Sequence, residues 1–214
     1  NSKIRVFTVK RNLQSYPVDT LNEKWEEASP ESINNFSAAG YYFGAKVHEI
    51  TGLPVGLISS NYGGSPVEAW ISRDILTKDY AKEHKLPSSE KDFLKPKPHY
   101  TPSVLFNGMI SPILGYGIRG AIWYQGESNV SDCALYEKTF PAMVADWRSR
   151  WGIGNFPFYY CQIAPYARAF FPEMRDVQRR CMNLIPNSGM ACLLDIGEEI
   201  CIHPSHKKIS GERL

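Results

Sequence analysis

One local grammar recurs along this chain: an apolar run of strand length, then polar residues or glycine, then a helix-periodic stretch. Ile4 to Val9 alternates over a β-branched background and reads as a first strand. Phe36 to Ile50 is helix-like, with Ala39, Tyr42, Phe43, Val47 and Ile50 recurring on one face before Thr51-Gly52 ends it. Pro54 to Ser59 reads as a buried strand that delivers the chain to Ser60-Asn61-Tyr62-Gly63-Gly64-Ser65. Further strands are expected at Ile118–Trp123, Phe156–Ile163 and Met190–Leu194, and helices at Val104–Leu114 (interrupted near Pro112), Tyr136–Trp151, Pro172–Leu184 and from Pro204 to Leu214. Strands that are apolar on both faces need helices on both sides, so the expected fold is α/β with a mostly parallel sheet. Asn12–Ser32 is polar and reads as a surface wrap. Arg73–Tyr100 is charged and proline-containing and reads as an insertion, part helix and part loop. No repeat, linker or low-complexity tract divides residues 1–214, so one domain is expected.

Composition removes several functions. A net charge of +2 gives no electrostatic footprint for nucleic acid. Lys91, Lys95 and Lys97 are interrupted by prolines and read as a solvated loop. No apolar run approaches the ~20 residues that span a bilayer. The five cysteines are odd in number and scattered, which does not suit a disulfide scaffold. Cys161 and Cys192 lie in apolar runs and are expected to be buried, reduced thiols.

Chemistry concentrates in Trp123-Tyr124-Gln125-Gly126-Glu127-Ser128-Asn129, which follows a strand end, where open α/β folds bind ligands. An amide, a carboxylate, a hydroxyl and a second amide crowd one glycine. A core that left them unpaired would lose about 1–3 kcal/mol per group, so a polar cleft is expected. Gln125 can donate to a developing oxyanion, and Glu127 can orient a partner or pin the loop. Gly63-Gly64 makes a tight turn that exposes backbone N–H groups, suited to an oxyanion or to nothing more than turning. It lacks the glycine spacing of a nucleotide-binding loop, and no cofactor is expected. Glu68 and Trp70 follow on a short helix, Trp70 as core. His203, just past the last strand, can act as a general base, with Asp195 or Glu199 as its orienting acid. Cys201, His203 and His206 also admit a zinc reading, though their spacing matches no recurring zinc pattern.

Across nearly its whole length the chain resembles the sialate O-acetylesterase group of the SGNH (GDSL-like) hydrolases. The resemblance rests on Ile4-Arg5-Val6-Phe7, Phe36-Ser37-Ala38 with Tyr42-Phe43-Gly44, and Pro54-Val55-Gly56-Leu57-Ile58. It continues through Gly63-Gly64-Ser65-Pro66-Val67-Glu68-Ala69-Trp70, Pro102-Ser103-Val104-Leu105-Phe106-Asn107 and the Trp123–Asn129 tract, to Ile202-His203-Pro204 and Gly211-Glu212-Arg213-Leu214. It implies a flavodoxin-like three-layer α/β/α sandwich and a serine esterase that removes acetyl groups from sugars. By position it implies His203 as general base, Gly64 (or Gly63) as backbone oxyanion donor and Gln125 as side-chain oxyanion donor.

Two departures qualify it. The family's nucleophilic serine lies in a Gly-Gln-Ser-Asn-like segment upstream of the stretch resembling Ile4–Val9, and Ser59, Ser60, Ser65 and Ser128 do not occupy its place. The aspartate often found shortly before the histidine is replaced by Ile200 and Cys201. The expectation is therefore an excerpt of a longer chain, the serine arriving from upstream or on a companion segment, with a gap where its interior strand would pair. The implied substrate is an O-acetylated glycan, sialate or alternatively xylan, and the implied setting is secreted, periplasmic or lysosomal-type. The competing class is a non-catalytic carbohydrate-binding remnant of the fold. Tyr124, Tyr166, Phe170 and Phe171 are sugar-facing aromatics or core.

Overall fold

The computed structural model describes residues 1–82 and 96–214. Its strands are β1 (Ile4–Thr8), β2 (Glu26–Glu27), β3 (Val55–Ser59), β4 (Ala121–Trp123), β5 (Phe158–Cys161) and β6 (Ser188–Ala191). They form two three-stranded sheets, ordered β2-β1-β3 and β4-β5-β6. The β1–β3 pair is parallel, with Ile4 opposite Val55 and Thr8 opposite Ser59. The second sheet is parallel throughout, and among the described strands only β2 runs antiparallel. The mostly parallel α/β reading holds, but among the described residues no ladder joins the two sheets. A shared apolar core joins them instead, from Phe7 and Val9 to Trp123, Phe158 and Tyr160.

The helices are α1 (Pro30–Ile33), α2 (Ala38–Thr51), α3 (Arg73–Asp79), α4 (Cys133–Trp151), α5 (Phe171–Leu184) and α6 (Lys207–Arg213). Local chemistry sets their ends. Ser37 caps α2 by accepting from Gly40 N, and Gly52, at φ 69°, ends it in the left-handed conformation that glycine adopts without strain. α4 begins ahead of Tyr136 because the Asp132 side chain accepts from Leu135 N at 3.0 Å. Its stripe of Phe140, Met143, Val144 and Trp147 is buried, as its periodicity required. α6 lies against α2 so closely that a Cβ on Gly211 would stand 2.4 Å from Ala39 O, which only glycine permits.

Several expectations are corrected. Val104–Leu114 is not one α-helix: a π-helical turn at Phe106–Ile110 passes into a 3-10 turn at Ser111–Ile113, where Pro112 supplies no N–H. Asn12–Ser32 does more than wrap the surface. Gln14 N donates to Val104 O at 3.2 Å, Val18 N to Asn107 O at 3.0 Å, and the stretch contains β2 and the start of α1. β6 starts at Ser188, earlier than the apolar run suggested, so Cys192 lies beyond the strand and is exposed. Cys161 is buried as expected, and burial pushes its thiol up to about 12. Among the described residues of Arg73–Tyr100 are α3 and a 3-10 turn at Pro98–Tyr100; Lys91 and Lys95 lie outside the described residues. No helix among the described residues is long and apolar enough to cross a membrane.

Candidate active site

β4 ends at Trp123 and hands the chain to Gln125, the centre of a buried polar network. Its Nε2 donates to Ser65 O at 3.1 Å and to Asn129 Oδ1 at 2.7 Å. Asn129 Oδ1 also accepts from Val67 N at 2.9 Å, while its Nδ2 donates to both oxygens of Glu68, at 3.1 and 3.0 Å. Thr139 Oγ1 completes the Glu68 shell at 3.4 Å. Exchanging O and N of Gln125 would set oxygen against Ser65 O, so these neighbours determine the amide's orientation. Gln178 pins the loop backbone from the other side: its Nε2 donates to Gln125 O at 2.9 Å and its Oε1 accepts from Ile163 N at 2.8 Å. Gly126 adopts φ 151°, and a Cβ there would stand 2.8 Å from both Gln178 Nε2 and Ile163 Cγ2.

This corrects the reading of the tract as an open cleft. Gln125, Asn129 and Glu68 are 9%, 7% and 6% exposed, but they are paired with one another rather than orphaned. Both N–H groups of Gln125 are engaged, and its Oε1 is buried without a hydrogen-bond partner among the described residues.

Ser65 links this network to the glycine turn. Gly64 has φ 71° and is exposed just past β3. Ser65 Oγ donates to Tyr62 O at 2.7 Å and accepts from Trp70 Nε1 at 2.9 Å. Trp70 is core, packed edge-on against Trp123. The turn has a neighbour that sequence reasoning missed. His99 Nε2 lies 3.9 Å from where a Gly64 Cβ would be, and the ring stacks on Tyr62 at 4.9 Å. Nothing local in Pro98-His99-Tyr100 announces that contact, which tertiary packing alone creates.

His203 sits exposed in the segment between β6 and α6. Of the acids considered for it, Asp195 is committed elsewhere: Arg213 grips it bidentately, both distances 2.6 Å, and holds its carboxyl down at about 2. The Glu199 carbonyl ties the Tyr166–Ala169 loop by accepting from Ala167 N at 3.1 Å. Glu127 is different. Burial raises its carboxyl above the usual range, and the nearby positive charges of His203 and Lys207 pull it back. The Lys207 ammonium lies 4.9 Å over the Tyr124 ring, closing this side of the site. The charge of His203 thus reaches the carboxyl of the loop acid Glu127.

Cys201 Sγ donates to His203 O at 3.2 Å, and among the described residues no three His, Cys, Asp or Glu side chains gather as a metal site. Ser59 Oγ accepts from Asn61 Nδ2 at 2.6 Å and Ser60 Oγ donates to Met109 O at 3.0 Å. Phe171 is core, 1% exposed, and packs on Tyr166; Phe170 is 56% exposed.

The Glu127 environment makes a pH prediction. A carboxyl raised in the folded state binds more protons there than in the unfolded chain. Stability therefore falls as pH rises from the ordinary value near 4.5 through the raised one. Glu127→Gln should flatten that slope, as read by chemical denaturation across the acid range, while Asp195→Asn should not.

The family model for carbohydrate esterase, sialic acid-specific acetylesterase matches residues 5–196. The chain belongs to that family. Sialate O-acetylesterase from Pongo abelii is 30% identical over 242 residues, covering 99% of this chain and 45% of the relative. The Homo sapiens sialate O-acetylesterase is 30% identical over 219 residues, covering 89% and 41%. The crystal structure of a carbohydrate acetylesterase from Xanthomonas citri superposes with TM-score 0.87 at 29% identity, over 100% of this chain and 48% of that one. A protein from Arabidopsis thaliana shares the fold at TM-score 0.59 and 17% identity, covering 100% and 79%. This sialic acid-specific acetylesterase family member thus spans under half the length of the two curated relatives.

Proposed function

We propose that the protein containing this chain is a carbohydrate O-acetylesterase acting on O-acetylated sialate by serine acyl transfer. The observation that carries the reading is the junction at the ends of β3 and β4. There the Gly64 turn is tied through Ser65 to Gln125, and Glu127 of the same loop feels the charge of His203. Family membership and the relatives' names support the same reaction. The nucleophile in this proposal is a serine from outside these 214 residues, as the family resemblance implies.

In the first half-reaction His203 takes the serine proton as Oγ bonds to the acetyl carbonyl carbon. The carbonyl π electrons move to oxygen, where the exposed N–H at Gly64 meets the charge. Collapse expels the sugar oxygen, which receives the proton from His203. Water then repeats the sequence, releasing acetate and restoring the serine. Glu127 steadies the imidazolium in both halves. Gln125, with both N–H groups occupied, holds the Ser65 carbonyl and hence the turn; it becomes an oxyanion donor only by releasing one of these bonds. The proposed setting is secreted, periplasmic or lysosomal, where glycan esters are processed.

The test uses the natural full-length protein on 9-O-acetyl sialate and acetylated xylan, before and after exhaustive chelation. Faster turnover of the sialate ester, unchanged by chelation, is expected, because charge develops only where backbone and amide donors meet it. Preference for xylan would replace the substrate and keep the reaction. A loss restored by zinc would replace the mechanism, and no turnover of either would favour the carbohydrate-binding remnant.

A further inference from the structure

A line of contacts runs outward from the glycine turn. Gly64 meets His99, His99 stacks on Tyr62, and the Arg11 guanidinium lies 5.1 Å over the Tyr62 ring. Arg11 leaves β1, Tyr62 leaves β3, and His99 arrives from the 3-10 turn at Pro98–Tyr100, so three segments converge at one edge of the first sheet. Burial and the Lys97 charge keep His99 below the usual imidazole range, while a hydrogen bond to the Gly64 backbone acts the other way. His99 therefore serves as an aromatic wall and brace, and the cation of the group is Arg11. Arg5, Arg150, Arg179, Arg180 and Arg213 each hold a carboxylate. Arg11 is exposed and holds none among the described residues, its fork of donors stacked on Tyr62 but open at its edge. A stacked guanidinium with free N–H groups suits a carboxylate, which it can bind through two parallel hydrogen bonds. The acid group and the 9-O-acetyl group of a sialate stand at opposite ends of the molecule. A cation three contacts removed from the oxyanion turn is placed for the distal end.

We infer that Arg11, seated on Tyr62 beside the Gly64 turn, receives the carboxylate of an acidic sugar and so determines the preference for sialate over neutral acetylated sugars. The inference rests on the esterase reading for the meaning of the site, but its test does not require turnover. A rival cation exists at the other sheet: Arg168, 5.6 Å over the Tyr166 ring, borders a groove of about 510 Å³ with Arg175 and Glu199.

The experiment measures equilibrium binding of N-acetylneuraminate and of its carboxyl methyl ester to the natural full-length protein, by calorimetry or ligand-observed NMR. The free acid should bind about tenfold more tightly than the methyl ester, the scale of one charge-assisted bidentate contact. Arg11→Gln should bring the ratio to about one, and Arg168→Gln should leave it. Thermal unfolding checks that each variant is folded. An unchanged ratio in Arg11→Gln, its loss in Arg168→Gln instead, or no discrimination by the unsubstituted protein overturns the assignment. If no acetyl ester is turned over yet the ratio behaves as expected, the esterase reading fails and the carboxylate site stands.

Discussion

Replacing His203 by alanine in the natural full-length protein should lower kcat for an acetyl ester by about 10²–10⁴-fold, the usual contribution of a positioned general base. The residue is exposed and its ring makes no hydrogen bond among the described residues, so the unfolding temperature should stay within about 2 °C, as for surface substitutions generally. The loss should therefore appear in turnover, with KM little changed. Steady-state kinetics beside a melting curve separate the two effects. Near-normal turnover in a folded variant would remove His203 from the chemistry.

Asn129→Ala should have the largest effect on stability. Asn129 accepts from Val67 N and Gln125 Nε2 and donates to both Glu68 oxygens, all in the interior. Alanine leaves two buried N–H groups unpaired and strips the Glu68 carboxylate of all but Thr139. At about 1–3 kcal/mol per orphaned group, the total is about 4 kcal/mol. In a domain of this size that lowers the unfolding temperature by about 8–16 °C. The effect belongs to the network rather than to lost volume. Glu68→Gln in the Asn129→Ala background should consequently recover part of the loss, whereas alone it should destabilise. Thermal unfolding of the two single variants and the double variant closes that cycle. Strict additivity would mean that Glu68 and Asn129 do not act together.

Both effects arise in a site whose parts were unequally visible beforehand. The residues that turn the chain are local features, and they could be read in order. Gly52 ends α2 in the left-handed conformation, the Phe140–Trp147 stripe faces the core, and the apolar run before Ser59 becomes β3. Each depends on φ preference or periodicity over a few residues, which sequence carries directly. Resemblance then singled out Gly64, Gln125 and His203 as the residues expected to carry the chemistry.

The partners of those residues were decided by packing across long stretches of chain. Gln125 reaches Ser65, Asn129 reaches Glu68, and His99 arrives beside Gly64, none of which leaves a local trace. The polar tract looked like a lined cleft because no local pattern shows that its amides will satisfy one another once buried. Asp195 looked available because nothing adjacent to it reveals that Arg213 will claim both its oxygens. Val104–Leu114 looked α-helical because its apolar spacing is insensitive to the close passage of Asn12, whose carbonyl oxygen lies 2.2 Å from where a Cβ on Gly108 would be. Periodicity and turn chemistry therefore specified many of the strands and helices, though not the π-helical turn at Phe106–Ile110 or the elements within Asn12–Ser32. Which donors face which acceptors is a property of close-packed tertiary contacts, because a hydrogen bond or ion pair depends on distances within a few ångströms that no sequence spacing encodes.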